Sequence, residues 1–397
     1  MAYVHLALAH LKFHKGRSVL LVVIFTILMA IPVLADLSSR IAEDHLLSRA
    51  QQTPLIYSAP GSQLDAAMSA LFFKGEPGAN LTMADYDQLL EMDLALPLPV
   101  LRSGTAGGYS VVGTDLEYFS FRELEMAAGR KFVQLGDAVV GARVAETLDL
   151  APRSQITTDT SRIFELAGTY PVRLNIVGVL QETGTTDDFS VFTDLRTGWI
   201  ATGLGHGHLD LETVKDQSVI LSRDGNKVVA NAKLKEFIEF TDETRAGFHF
   251  HGAPENFPLS ALIVAPNSDR DAAFLQGRVA DQYGDTRQIF RPVAVIEELL
   301  QDVFRIGTIL QVMIAIISIA ALLAVSMVVS LSLRMRKREF EVARQIGADR
   351  FAVPAQVVLE LALLILLAAG LCSLIALTGE QWGDFLFNSI YLGLIAS

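Results

Sequence analysis

The chain is 397 residues long, 51% hydrophobic and only 19% charged, with a formal net charge of −12 and one cysteine. This composition excludes intrinsic disorder, the acidic balance argues against a nucleic-acid partner, and the lone Cys372 rules out an internal disulfide, a CxxC redox pair and a Cys-based zinc cluster. Mean hydropathy is +0.38, and the excess is gathered in three stretches, which points to a membrane.

Residues 1–17 carry Lys12, Lys15 and Arg17 without an acid and read as a cytoplasmic amphipathic segment. An uncharged run follows over 18–35, at the short end of what spans a bilayer. Val33-Leu34-Ala35 also resembles a signal-peptidase site, so a cleaved leader stays open beside a first transmembrane helix. Residues 36–305 hold 23 basic and 38 acidic side chains, and the positive-inside rule puts this acidic block outside the cell membrane.

Within that outer domain, 54–59 reads as a strand. Ser62 and Asp65 start a helix whose apolar face is Leu64, Ala67, Met68, Leu71 and Phe72, and Thr82 with Asp85 caps a second helix through Leu90. Residues 109–113 and 176–180 are short β-rich runs. Further on, 259–265 reads as a strand, 269–282 as a helix and 287–293 as a strand. The βα units at both ends around a β-rich middle imply a core split by an insertion over about 120–250.

The second span, 306–333, is uncharged and longer than the hydrocarbon core requires. The amphipathic run 293–305 lies before it, either as one continuous helix or as a separate helix joined at Arg305. The third span, 351–378, contains one carboxylate, Glu360, expected at a helix–helix contact or snorkelling to the interface. Trp382 marks the outer interface, and the apolar tail within 379–397 is too short to span, so that it reads as extracytoplasmic or re-entrant. The expected fold class is an α+β membrane protein, with transmembrane helices and a large extracytoplasmic α/β domain carrying a β-rich inserted subdomain.

No GxxxxGK[ST] loop, GxSxG elbow or HExxH helix occurs, so the sequence offers no recognisable catalytic motif. Asp187-Asp188 reads as a solvated turn after Gly184. His206 and His208 sit in a glycine-rich loop, and His249 and His251 fall on one face of a strand by period-2 alternation. Should the two pairs meet, four imidazoles make a zinc site; otherwise they are ordinary loop and turn histidines.

The cytoplasmic segment 334–350 (RMRKREFEVARQIGADR) places Phe340, Ala343 and Ile346 on one helical stripe, ringed by Arg336, Arg338, Glu339 and Arg344, with Gly347 as a helix stop. From composition alone it is either a docking helix or a basic anchor that sets topology. Here the sequence resembles the FtsX/MacB-type permeases of ABC transporters, which carry R-K-R-E-[FI]-x-[VI]-x-R-x-[IL]-G-A after the second span. Lys337, Arg338, Glu339, Phe340, Val342, Arg344, Ile346, Gly347 and Ala348 match as they stand. Gly129-Arg130, Phe132, Gly136-Asp137 and Val139-Val140-Gly141, then 176–180 and 187–195, are similar to stretches of MacB-like periplasmic domains.

The resemblance implies a non-catalytic inner-membrane permease subunit that passes ATPase-driven conformational change to a periplasmic domain. Its implied partners are a separate cytoplasmic ABC ATPase that supplies ATP hydrolysis, a second copy or related permease, and a periplasmic or outer-membrane protein. It also implies ATPase coupling through Arg338, Glu339, Phe340, Ala343, Arg344, Ile346 and Gly347. Such permeases usually have four spans, and the fourth has no counterpart in this sequence. An alternative is a membrane-anchored regulatory scaffold that recruits and activates a periplasmic partner without transporting a substrate.

Overall fold

A computed structural model describes residues 2–75, 81–159, 171–207, 220–224, 227–230, 237–241, 244–335, 337–345 and 352–386. The chain forms two compact units, Met1–Asp44 with Leu300–Phe387, and His45–Leu299.

The first unit is helical. It contains α1 (Ala2–Phe13) and the start of α2 (Lys15–Gln51). Among the described residues, three helices are long and apolar enough to cross a membrane: α2, the Gly307–Leu331 part of a later 44-residue helix, and the Ala355–Gly379 part of the last helix. The expected first span thus lies in a helix that runs on to Gln51. From Val33 to Thr53 there is neither glycine nor proline to stop it.

The outer unit opens with β1 (Leu55–Ser58) and α3 (Gln63–Phe72). The Ser62 side chain caps α3 by accepting from the Asp65 N–H at 3.1 Å. After β2 (Leu81–Thr82), α4 (Met83–Glu91) starts on a capping box in which the Asp85 carboxylate accepts from the Thr82 N–H at 2.8 Å. Then come β3 (Ala95–Ala106), β4 (Tyr109–Thr114), α5 (Leu116–Phe121), β5 (Met126–Gly129), β6 (Asp137–Val140), α6 (Ala142–Thr147), β7 (Gln155–Thr157) and β8 (Val172–Leu180). β8 alternates strictly, turning Val172, Leu174, Ile176 and Leu180 into the core. A 3-10 turn over Thr186–Phe189 leads into β9 (Ser190–Asp194), α7 (Leu195–Ala201) and β10 (Gly205–Gly207).

The hairpin β11 (Ile220–Asp224) and β12 (Lys227–Ala230) is followed by β13 (Ile238–Glu239), β14 (Phe248–Phe250), β15 (Pro258–Leu259) and β16 (Ala261–Pro266). The unit closes with α8 (Asp269–Tyr283), β17 (Gln288–Phe290) and the start of α9 (Pro292–Met335). The strand expected over 287–293 is therefore shorter. Pro292 takes the first helical position, where its missing N–H costs nothing. α9 is one continuous helix from there, about 66 Å long. α10 (Lys337–Gln345) and α11 (Ala352–Leu386) complete the described chain.

An 11-stranded sheet organises the outer unit in the order β13-β8-β6-β9-β4-β3-β16-β1-β17, with β5 and β7 also paired to β8. Segment 120–250 supplies β13, β8, β6 and β9 together with β5 and β7, whereas β16, β1 and β17 come from the flanking chain. β3 joins the two halves: residues 95–100 pair with β16 and 101–106 with β4. The Leu96, Leu98 and Val100 side of the ladder serves β16. Pro97 and Pro99 alternate with them and have no N–H to offer the opposite edge, so pairing with β4 begins only at Leu101. A bulge between Arg102 and Thr105, with Gly104 at φ 102°, turns the strand at that changeover. One core packs Leu55, Tyr57, Leu262, Val264 and Leu275 around Trp199; the other packs Val140, Val144, Leu174, Ile176 and Val191.

Candidate functional site

A buried charged site is built where α2 ends. Arg49 is 3% exposed and Asp187 is 1% exposed. The guanidinium binds the carboxylate in a fork, Nη1 to Oδ2 at 2.6 Å and Nη2 to Oδ1 at 2.9 Å. Nε donates to the Leu71 carbonyl at 2.6 Å, and Nη2 is also 3.0 Å from the Tyr118 hydroxyl, which donates to Asp187 Oδ1 at 2.9 Å. Thr185 Oγ1 donates to Asp187 Oδ2 at 3.2 Å. Arg122 extends the network, donating from Nη2 to Thr53 Oγ1 at 2.7 Å and lying 4.9 Å from the Phe121 ring.

Burial alone raises a carboxyl, but the Arg49 charge and its hydrogen bonds, aided by Arg122 and Tyr118, hold Asp187 below the ordinary range. Burial and the neighbouring Asp187 charge push the Tyr118 phenol up to about 12. The turn expected at Asp187-Asp188 is thus corrected from solvated to buried, because Arg49 compensates one carboxylate and the Thr183 and Gly184 N–H groups bind the other. Its backbone is pressed against the start of α6: a Cβ on Gly141 would come 2.2 Å from the Asp187 carbonyl oxygen. No sequence motif joins Arg49 to a residue 138 positions away.

On the helical unit, Leu21, Val22 and Phe25 of α2 pack with Leu364 and Ala368 of α11. Glu360, 6% exposed, lies in a helix–helix contact, as one of the two sequence readings has it: Oε1 is 3.1 Å from His10 Nδ1 on α1 and accepts from Gln356 Nε2 at 2.9 Å. Of the expected coupling residues, Arg338, Glu339, Phe340, Ala343 and Arg344 are carried by α10, where Arg338 is exposed. Ile346 and Gly347 lie outside the described residues.

The two histidine-bearing stretches are brought together at the level of the backbone. Residues 205–207 form β10, not a loop, and its antiparallel register with β14 sets His206 directly opposite His249. The His249 and His251 ring centroids are 4.8 Å apart. His208 lies outside the described residues. Among the described residues, no three His, Cys, Asp or Glu groups gather at metal-ligand spacing. The opposite face of the ribbon borders a cleft of about 450 Å³ lined by Trp199, Phe250, Phe257, Asp87, Glu255 and Arg196. No sequence reading singled out this cleft, whose aromatic residues come from three separate stretches of chain.

The periplasmic region of MacB from Actinobacillus actinomycetemcomitans is 10% identical, with 64% of this chain and 97% of that one aligned at a TM-score of 0.35. The extracellular domain of the ABC-type transporter YknZ from Gram-positive bacteria is 12% identical, covering 59% of this chain and 98% of that one at a TM-score of 0.33. No curated protein matches the chain. The family model of the MacB-like periplasmic core domain matches residues 22–233, more than half of the sequence. The chain therefore belongs to the MacB-like periplasmic core domain family and is a membrane permease of the FtsX/MacB type.

Proposed function

We propose that this permease subunit works by mechanotransmission: a separate cytoplasmic ABC ATPase binds α10 and drives a conformational change that the chain delivers to its periplasmic domain. The observation that carries this reading is Arg49. The helix that contains the first apolar span also carries, in its last turn, a guanidinium locked by a buried fork into the outer domain. A displacement of α2 then acts on the 3-10 turn and β9 through charge-assisted bonds rather than through a slack linker.

In this reading the protein sits in the inner membrane as a multi-pass subunit and pairs with a second copy or a related permease. α10 supports the docking role, since its sequence sets Phe340 and Ala343 at i and i+3 among charged neighbours, the pattern of a helix that lays an apolar stripe into a groove. The work is done on an extracytoplasmic substrate or a periplasmic or outer-membrane partner, and hydrolysis belongs to the ATPase.

The test uses the assembled permease–ATPase complex. A spin label at exposed Asp269→Cys, with the buried Cys372 replaced by Ser, reports the distance between the two periplasmic domains. The expected result is a nucleotide-dependent change in that distance, abolished by Arg49→Met/Asp187→Leu while ATP hydrolysis continues. An unchanged distance distribution with and without ATP overturns mechanotransmission.

A further inference from the structure

Where α1, α2 and α11 meet, the helical unit holds a groove of about 880 Å³ that the permease reading leaves unassigned. Three sets of contacts build it. Leu21, Val22 and Phe25 of α2 pack with Leu364 and Ala368 of α11. Ser18 Oγ, near the start of α2, donates to the Leu11 carbonyl of α1 at 3.2 Å, and His10 Nδ1 on α1 lies 3.1 Å from Glu360 Oε1 on α11. The short helix is thereby tied to both long ones, and the space beside it is a concave groove rather than the open flank of a single helix.

The groove changes chemistry along its length. Val19, Val22 and Val23 recur at i, i+3 and i+4 on α2, and Leu363, Leu367 and Leu371 at i, i+4 and i+8 on α11. The α11 wall is therefore an apolar stripe ~12 Å long. Lys12 and Lys15, both exposed, line the same groove where α1 passes into α2, and no carboxylate is among its described lining residues. Two positive charges at the mouth and hydrocarbon walls beyond, on helices long and apolar enough to cross a membrane, are complementary to an amphiphile with an anionic head.

We propose that this groove binds one anionic phospholipid, with Lys12 and Lys15 on its phosphate and an acyl chain along the Leu363, Leu367 and Leu371 stripe. A zwitterionic phospholipid offers the same chain, but its own cation offsets the phosphate charge, so the lysines select against it. The bound lipid would brace α1 against α2 and α11. The proposal needs only that α2 and α11 span a bilayer and is independent of ATPase docking at α10.

The experiment titrates the detergent-purified full chain with phosphatidylglycerol and, separately, with phosphatidylcholine, and counts bound lipid by native mass spectrometry. One phosphatidylglycerol per chain is expected, with phosphatidylcholine at least about tenfold weaker. Lys12→Gln/Lys15→Gln should weaken phosphatidylglycerol roughly 25-fold, at about fivefold for each lysine near a membrane surface. Leu367→Trp, which fills the groove and keeps both lysines, should lose the lipid. Arg334→Gln/Lys337→Gln, which removes equal charge from exposed residues outside the groove, should bind as the parent does, and circular dichroism of every variant should match the parent. Equal binding of the two lipids overturns the proposal, as does undiminished binding in the Lys12/Lys15 or Leu367 variant, or an equal loss in the Arg334/Lys337 variant. A parent dimer that Leu367→Trp dissociates while phosphatidylglycerol stays bound would give the groove to a second copy and overturn it as well.

Discussion

Replacing Asp187 by Asn keeps the shape of the turn and removes the charge that faces Arg49. The guanidinium, 3% exposed, would keep the Leu71 carbonyl and the Tyr118 hydroxyl but lose its carboxylate fork at 2.6 and 2.9 Å. Stranding one member of a buried ion pair costs about 3–5 kcal/mol. For a unit of this size each kcal/mol moves the melting temperature by about 2–4 °C, so a drop of roughly 6–20 °C is expected. The double substitution Arg49→Met/Asp187→Leu removes both charges and fills the space with apolar groups, and should recover most of that loss. Thermal melting of the solubilised chain, followed by near-UV circular dichroism, reads both.

The pH dependence carries its own sign. Because the folded-state Asp187 carboxyl is held below its ordinary value, the stabilisation is complete above about pH 4 and fades as pH falls through the lower folded value. The gap between parent and Asp187→Asn should thus persist at pH 5 and close only in stronger acid. A variant that melts within about 2 °C of the parent at neutral pH refutes the buried fork as a structural tie.

Asp115 behaves oppositely. It caps α5 by accepting from the Tyr118 N–H at 3.0 Å, and burial pushes its carboxyl up to about 6. A raised folded value means stability present below about pH 4 and lost as pH rises through 6. Asp115→Asn, which retains a capping oxygen, should raise stability near pH 7.5 by up to ~3 kcal/mol and change it little near pH 4; equal shifts at both would contradict the burial argument. If α10 docks the ATPase as proposed, Phe340→Asp should leave membrane insertion intact while abolishing copurification of the ATPase. Retention of a normally active ATPase by that variant would return α10 to a topological anchor.

Local signals carried much of the architecture. Ser62 and Thr82 start helices where their side chains satisfy first-turn N–H groups, and the strand at 261–266, helix at 269–283 and apolar membrane segments follow from composition and period alone. The extension of α2 was legible in principle from the absence of a breaker between Val33 and Thr53, but an acidic, polar stretch after an apolar span looks like its end. The Arg49–Asp187 fork was not legible. Its members are 138 residues apart and brought together by sheet order, which hydrophobic period does not encode. The same holds for the ribbon. Glycine-rich GLGHGH has the composition of a loop, and its glycine at 205 is required by the aromatic ring of Phe250 opposite it.

The shared strand β3 sets how the outer domain comes apart. One half of its length is hydrogen-bonded to β16 and the other to β4, and its residues supply both cores, with Leu101 in one and Ala106 in the other. Melting either half of the sheet strips β3 of part of its ladder and exposes apolar surface that belongs to the remaining half. The two halves should consequently open as one foldon, with the β3 amides among the slowest to exchange hydrogen. Segment 120–250 is then inseparable from the flanking chain in a thermodynamic sense: excising it would remove β9, the ladder partner of β4, and leave the β4 edge free for intermolecular pairing.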